Sequence, residues 1–352
     1  MRRHVRAAFN YVFESALLAA VVLALQPAAD FLPRTWARAA ARILAAAVAL
    51  SPTQGFEAYA MMRGAFGLSR IRALIAAQQW LARPFLDFVT MRRVIGGREK
   101  IHEWKVIETG SEAALKLKDS GKPFIIATGH FARESHLGIF LPQVIPHCIT
   151  TVAAPLPPNS RDPLERRRRL QYRQLLEALP HVRPQGLKIA FTGGFSSRYD
   201  EYLNEPGRVL LISSDAYWKG GGAYRNDASG PRPKAAGGAH IRPFAGLIGY
   251  RLATGTAFLS RFVQCPILTC ITYMRDDGAV VVEWGEPIPP AASDDKQSDL
   301  ALTDRLLLDI ERAVGLRPSQ YVLNIGGSRR WNPAGSQWLD IECSSYQGAK
   351  LQ

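Results

Sequence analysis

A series of short apolar runs constrains this chain more than any other feature. They are PFIIATG (123–129), CITTVAA (148–154), RVLLIS (208–213), PILTCITYM (266–274) and AVVVEWG (279–285). Each has strand length, favours β-branched residues and is bounded by Pro, Gly or polar residues. Helical stretches separate most of them: Arg166–Leu179, Ser196–Leu203 and Ala253–Phe262. Ser111 reads as the cap of a helix through Lys118, with Gly121 as its stop. A late helix, Asp299–Val314, carries Leu306, Leu307, Ile310 and Val314 on one side. Near-continuous apolar runs suit strands covered on both faces. The expected fold is α/β, a mixed and mostly parallel sheet flanked by helices. Asp276-Asp277-Gly278 predicts a tight turn that makes the last two strands antiparallel.

The first run ends in Thr128, Gly129 and His130. Gly129 allows a sharp turn, and His130 then falls at the carboxyl edge of the sheet, where open α/β folds place their sites. Glu134 follows four residues later and shares a helical face with His130 if a helix begins there. A carboxylate on Nδ1 would fix the tautomer and leave Nε2 as a base. A purely structural His–Glu hydrogen bond fits the same pair. His130, Glu134 and His136 match no metal-ligand spacing.

The amino-terminal region sets a second constraint. Arg2, Arg3 and Arg6 precede an apolar run from Ser15 to Leu25, closed by Gln26 and Pro27. The run is short of the roughly 20 apolar residues that a spanning helix needs. It fits a signal peptide, an anchor in or partly across a bilayer, or a core helix. Arg34, Arg38 and Arg42 then form one helical stripe, beside Trp36, Ala40, Ile43, Leu44 and Ala47. That pattern favours membrane-associated helices over residues 1–50, with a solvated charge stripe on an ordinary surface helix as the other reading. The early arginines favour a cytoplasmic amino terminus. An α/β domain over 51–332 and a polar, poorly ordered tail over 333–352 follow. Leu74, Ile75, Trp80, Leu81, Phe85 and Phe88 suggest a core face, and GGGAYRNDASGPRPKAAGG (220–238) a mobile loop or lid.

Apolar residues make up 47% of the 352, enough for a sizeable core. The net charge of +14 points to anionic partners. No nucleic-acid-binding signature accompanies it, so nucleic acid is not an expected partner. The 4 cysteines form no CxxC pair and read as reduced thiols. No HExxH, GxSxG or Walker A loop is present.

Several segments, in order, resemble the bacterial lipid A late acyltransferases. These are the lauroyl and myristoyl transferase group of the lysophospholipid acyltransferase superfamily. The segments are ATGHF at His130, SRDPLERRRRLQYR after the second run, and PGRVLLISSDAYW with Asp215 at a strand end. IRPFAGLIGYRLATGTAFLSRFVQCPILTCITY holds a Phe-x-Gly (Phe244, Gly246) and a Thr-Gly-x-Ala beginning at Thr254, and QYVLNIGGSRRWN closes the series. The resemblance covers about residues 12 to 332. The family's acid stands five residues after its histidine. That position is Ser135 here, with Glu134 one residue early and Ala132-Arg133 in place of the usual filling.

The resemblance implies transfer of a fatty acyl group from a thioester, on acyl carrier protein or coenzyme A. The acceptor would be a hydroxyl or amine of a lipid or glycolipid at an anionic membrane surface, the cytoplasmic face of a bacterial inner membrane. His130 would be the general base and Glu134 its acid. Arg133, Ser135, Arg166, Arg169, Asp215, Arg242, Phe244, Gly246 and Thr254 would line the substrate site. Arg242 is either an oxyanion cation or a surface arginine, and Asp215 either supports the site or caps a turn. The Arg166–Arg169 cluster docks an acidic carrier protein, touches lipid phosphates or is a solvated helix face. No metal or redox cofactor is required. The alternative is a catalytically degraded member of the same fold that binds lipid or carrier protein.

Overall fold

The computed structural model describes residues 16, 19–50, 54–64, 66–132, 136–137, 139, 149–153, 169–170, 173–174, 176–178, 187–191, 203, 208–215, 239–244, 247–275, 277–293, 295–321, 329–332 and 337–340. The loop expectation at 220–238 lies outside them.

The described chain begins with helices: α1 (Gln26–Phe31), α2 (Arg34–Ala49), α3 (Gln54–Gly64) and α4 (Arg70–Ile95). Strands follow: β1 (Val106–Thr109), β2 (Phe124–Thr128), β3 (Ile149–Ala153), β4 (Leu187–Phe191), β5 (Val209–Ser213), β6 (Ala239–Phe244), β7 (Leu247–Ala253), β8 (Ile267–Met274) and β9 (Val280–Ile288). α5 (Ser111–Asp119) precedes β2, α6 (Gly255–Val263) precedes β8, and α7 (Lys296–Leu316) follows β9.

The main sheet has 7 strands in the order β1-β9-β8-β2-β5-β3-β4. Pairing is parallel from β8 through β2, β5 and β3 to β4. β9 runs antiparallel to β8, as the Asp-Gly turn predicts, and β1 is parallel to β9. The α/β expectation with a mixed sheet and flanking helices therefore holds. Apolar side chains on one face of β2, β5 and β8 (Ile126, Leu211, Leu268) share a core with α5, and those on the other (Ile125, Leu210, Ile267) pack with α6 and α7. Full burial of β2 on both faces is the physical reason its sequence is continuously apolar.

Several local expectations change. Ser111 is the first residue of α5 rather than its cap; Gly110 holds the cap position at φ 68. A Cβ at Gly110 would also lie 2.5 Å from the Trp284 carbonyl oxygen, so backbone conformation and space both demand glycine. Leu74 and Ile75 are exposed, while Leu81, Phe85 and Phe88 are buried as expected. The tail contains a strand, β11 (Gln337–Asp340), paired antiparallel with β10 (Arg329–Asn332).

The amino-terminal helices correct the largest expectation. Among the described residues no helix is long and apolar enough to cross a membrane. Placement in a bacterial inner membrane, on its cytoplasmic face, does not hold. The physical reason lies in the sequence: the helical stretch described over 19–31 stops before Pro33, and Arg34, Arg38 and Arg42 interrupt the apolar character of α2. Alanine forms the inward face of α2 (Ala37, Ala41, Ala45) and the side chains of Trp36, Ile43 and Leu50 point outward. α2 to α4 share one core with Phe131, Phe244, Ile310 and Tyr321. Arg93, 8% exposed, ties α4 to α1. It donates to the carbonyls of Ala29 (3.2 Å) and Leu32 (2.9 Å) and pairs with Glu99 (3.3 Å). Arg92 reaches Asp30 with two bonds, at 2.8 and 2.9 Å.

Candidate active site

The site follows from strand register. β2 and β5 pair in parallel to the partners Thr128 and Ser213, and Ser214 N–H adds one more bond to the Thr128 carbonyl at 2.8 Å. His130 and Asp215 stand at equal distances beyond that last pair. Adjacent strands lie about 4.8 Å apart, so two side chains leaving the same edge meet.

Gly129 shapes the exit from β2. The Phe131 N–H donates to the Gly129 carbonyl at 2.9 Å, which closes a three-residue turn around His130. A Cβ at Gly129 would lie 2.8 Å from Ile310 Cγ2 and 3.0 Å from a Phe131 ring carbon. Glycine is therefore required here for close packing against α7.

His130 Nδ1 lies 2.6 Å from Asp215 Oδ1, and its backbone N–H donates to Asp215 Oδ2 at 2.8 Å. The Tyr321 hydroxyl donates to the same Oδ2. The Asp215 side chain is fully buried, whereas that of His130 is 33% exposed. Burial by itself pushes the Asp215 carboxyl up. The facing His130 charge, the ring and backbone N–H groups of His130 and the Tyr321 hydroxyl outweigh it, and hold the carboxyl below its ordinary 3.8. An ionised carboxylate on Nδ1 orients the ring and stabilises the imidazolium that forms when Nε2 takes a proton. The arrangement can serve as a general base facing solvent.

Helix α6 borders the same edge. Ser214 Oγ and Thr256 Oγ1 are 3.0 Å apart, both buried, which joins the end of β5 to the first turn of α6. Thr254 is buried at the start of that helix, and its carbonyl accepts from Phe258 N–H at 3.0 Å. Phe244 is fully buried, its ring centroid 6.2 Å from that of Tyr321. Arg242 lies on β6, paired with Tyr250 across the hairpin. Arg169 is half-buried and helical. Arg133, Glu134, Ser135, Arg166 and Gly246 lie outside the described residues. Among the expected residues the structure thus brings His130 and Asp215 together.

Tyr321, which donates to Asp215, carries no signal of that role in the sequence. QY opens the closing segment, yet no spacing ties it to a histidine 191 positions earlier in the chain. The structure ties it through a strand-like bridge between Phe131 and Tyr321, whose rings meet edge to face at 5.6 Å.

No family model matches the chain, and no curated protein matches it. Among solved structures, the 1-acyl-sn-glycerophosphate (LPA) acyltransferase PlsC from Thermotoga maritima is similar, with a TM-score of 0.31 and 12% identity. The alignment covers 79% of this chain and 95% of that one. The similarity to this lysophospholipid acyltransferase is distant, does not reach the lipid A group that the sequence segments resemble, and carries no argument about chemistry.

Proposed function

We propose that this chain is an acyltransferase. It moves a fatty acyl group from a thioester, on acyl carrier protein or coenzyme A, to a hydroxyl or amine of a lipid acceptor. The observation that carries the reading is the half-exposed His130 imidazole held through Nδ1 by the buried, ionised Asp215. His130 is the general base and Asp215, rather than Glu134, is its carboxylate. Nε2 takes the acceptor's O–H or N–H proton as that atom attacks the thioester carbonyl. The new C–O or C–N bond forms, the tetrahedral oxyanion collapses, and the C–S bond breaks. The departing thiolate takes the proton back from the imidazolium. First-turn N–H groups of α6, which a helix cannot pair internally, supply a source of oxyanion donors at this edge.

A lipid acceptor is favoured by the outward Trp36 and Ile43 of α2 with Leu50 at its end, which recur every seven residues, and by Ile71, Leu74 and Ile75 of α4. The binding-only alternative loses its main motive. That motive was a displaced acid near His130, and Asp215 supplies one.

The test incubates purified protein with radiolabelled acyl carrier protein thioester or acyl coenzyme A and total bacterial lipid, then separates the lipid extract. A labelled lipid made by wild type and lost in His130→Ala is the expected result. Label that survives His130→Ala sinks the proposal. Glu134→Gln should retain transfer; if it abolishes transfer while Asp215→Asn does not, the acid is Glu134.

A further inference from the structure

We propose that Tyr321 is a positioning residue of this site. Its phenolic O–H fixes the rotation of the Asp215 carboxylate, so that His130 carries its proton on Nδ1 and leaves Nε2 open. The inference rests on the reading of His130 as a base.

The argument begins with the carboxylate. Oδ1 faces His130 Nδ1 at 2.6 Å, and Oδ2 takes the His130 backbone N–H at 2.8 Å together with the Tyr321 hydroxyl. Rotation about Cβ–Cγ breaks all these bonds at once. Among the described residues, the other donor to Oδ2 is the His130 N–H, which belongs to the residue that the carboxylate must orient. Tyr321 therefore supplies a restraint that comes from outside the His–Asp pair.

The phenol itself is held firmly. Tyr321 is fully buried. Its carbonyl accepts from Trp80 Nε1 at 3.1 Å, which anchors it to α4. The neighbouring Gln320 side chain bonds both backbone groups of Met274, at 2.8 and 2.7 Å, and its carbonyl accepts Ala132 N–H at 2.9 Å. Phe131 and Phe244 fix the ring. Packing alone asks only for an aromatic ring here, and phenylalanine would serve; a buried hydroxyl is costly unless it has a partner. The partner it has is the group that sets the tautomer of the base.

The experiment reads the tautomer directly. Protein labelled with 15N-histidine is recorded at a pH where His130 is neutral, and its resonances are assigned with His130→Gln. Wild type should show protonated Nδ1 and bare Nε2. Tyr321→Phe keeps the ring and removes the hydroxyl. It should shift the ratio toward the Nε2–H form by about fivefold or more, with an unchanged far-ultraviolet spectrum. Transfer should fall about 10- to 100-fold in kcat with little change in KM for the thioester. Site-specific 3-fluorotyrosine at 321, a more acidic donor of nearly the same shape, should move the Nδ1 shift and keep transfer. A folded Tyr321→Phe with the wild-type His130 pattern overturns the proposal. So does an unmoved Nδ1 shift in the fluorotyrosine protein, even if Tyr321→Phe does not fold.

The tautomer readout needs no substrate. A changed ratio without transfer by any form rejects acyl transfer and leaves the positioning role standing. Transfer by wild type that Tyr321→Phe leaves untouched, with the tautomer unmoved, does the reverse.

Discussion

The carboxyl edge of the sheet and the amino-terminal helical layer are built on opposite plans. At the edge, polar groups are buried and engaged: Asp215 accepts from His130 twice and from Tyr321, and Ser214 meets Thr256. On α2 of the helical layer the small side chains face in. Ala37, Ala41 and Ala45 are fully buried, whereas Trp36 is 67% and Ile43 72% exposed. Helices α3 and α4 bury Met61, Met62, Phe85 and Phe88, and arginine clamps to carbonyls and carboxylates add to that burial. The difference separates two kinds of dependence. The edge depends on the placement of a few atoms, and the layer on apolar burial reinforced by ionic ties.

Substitutions can break that contrast, and the largest effect belongs to the edge. Asp215→Asn removes the charge on Nδ1 and should cut transfer by about 10³- to 10⁴-fold, measured as kcat, while the protein stays folded. A loss under about tenfold would mean that the edge does not work through this pair.

In the layer, Arg93→Ala strips the donors from two carbonyls and takes one partner from buried Glu99, which keeps Arg34 and Trp104 Nε1 at 3.1 Å. It should cost about 1–3 kcal/mol in urea unfolding. The His130 nitrogen shifts of the folded fraction should match wild type. If they move with stability, the two regions are one unit and the contrast fails.

Gly129→Ala lies between the two plans. Its Cβ would meet Ile310 Cγ2 at 2.8 Å, so the turn or α7 must give way at about 1–3 kcal/mol. Transfer should fall more than stability does, because the displaced residue is the neighbour of His130.

Acid sharpens the edge further. Asp215 is held below its ordinary 3.8, so the folded state binds fewer protons than the unfolded state in that range. Its stabilising contribution is full above the unfolded value and is lost as pH falls through the lower folded value. The stability gap between wild type and Asp215→Asn should therefore be widest above about pH 4 and close below it, as followed by denaturant midpoints. A gap independent of pH would show that the difference is steric.

The smallest effect is expected on the outer face of the layer. Ile43→Gln should change stability by no more than about 0.5 kcal/mol, since Ile43 is 72% exposed. A larger loss would mean that this face is covered in solution.

How legible each part is in the sequence follows from the same physics. Strands β2, β3, β5, β8 and β9 stand out as apolar runs, and all five have strand neighbours on both sides. β1 and β4 are the two edges of the sheet. Their sequences, VIET and LKIAF, are short and partly polar, as edges tend to be, and carry little signal. His130 is legible because a titratable group ends a buried strand. Its partner is harder to read. Sequence proximity suggests Glu134, whereas parallel register brings Asp215 from 85 positions away. Asp215 is visible as a strand-end aspartate, but only strand order makes it the neighbour of His130. Tyr321 has no local signal, since neither a period nor a motif leads from it to the site. The alanine face of α2 misleads for a different reason. Periodicity reports which residues share a face, and here the large apolar side chains are not the ones turned inward.

The spread of His130, Asp215 and Tyr321 along the chain has a consequence for synthesis. A growing polypeptide carries the histidine long before the phenol that completes its surroundings, 106 positions beyond the aspartate. Translation that stops early, or a cut before Tyr321, leaves a fragment with its reactive side chain and without the lock on it. Such a fragment should be inert toward acyl thioesters, so competence arrives only when β2, β5 and the segment after α7 have come together.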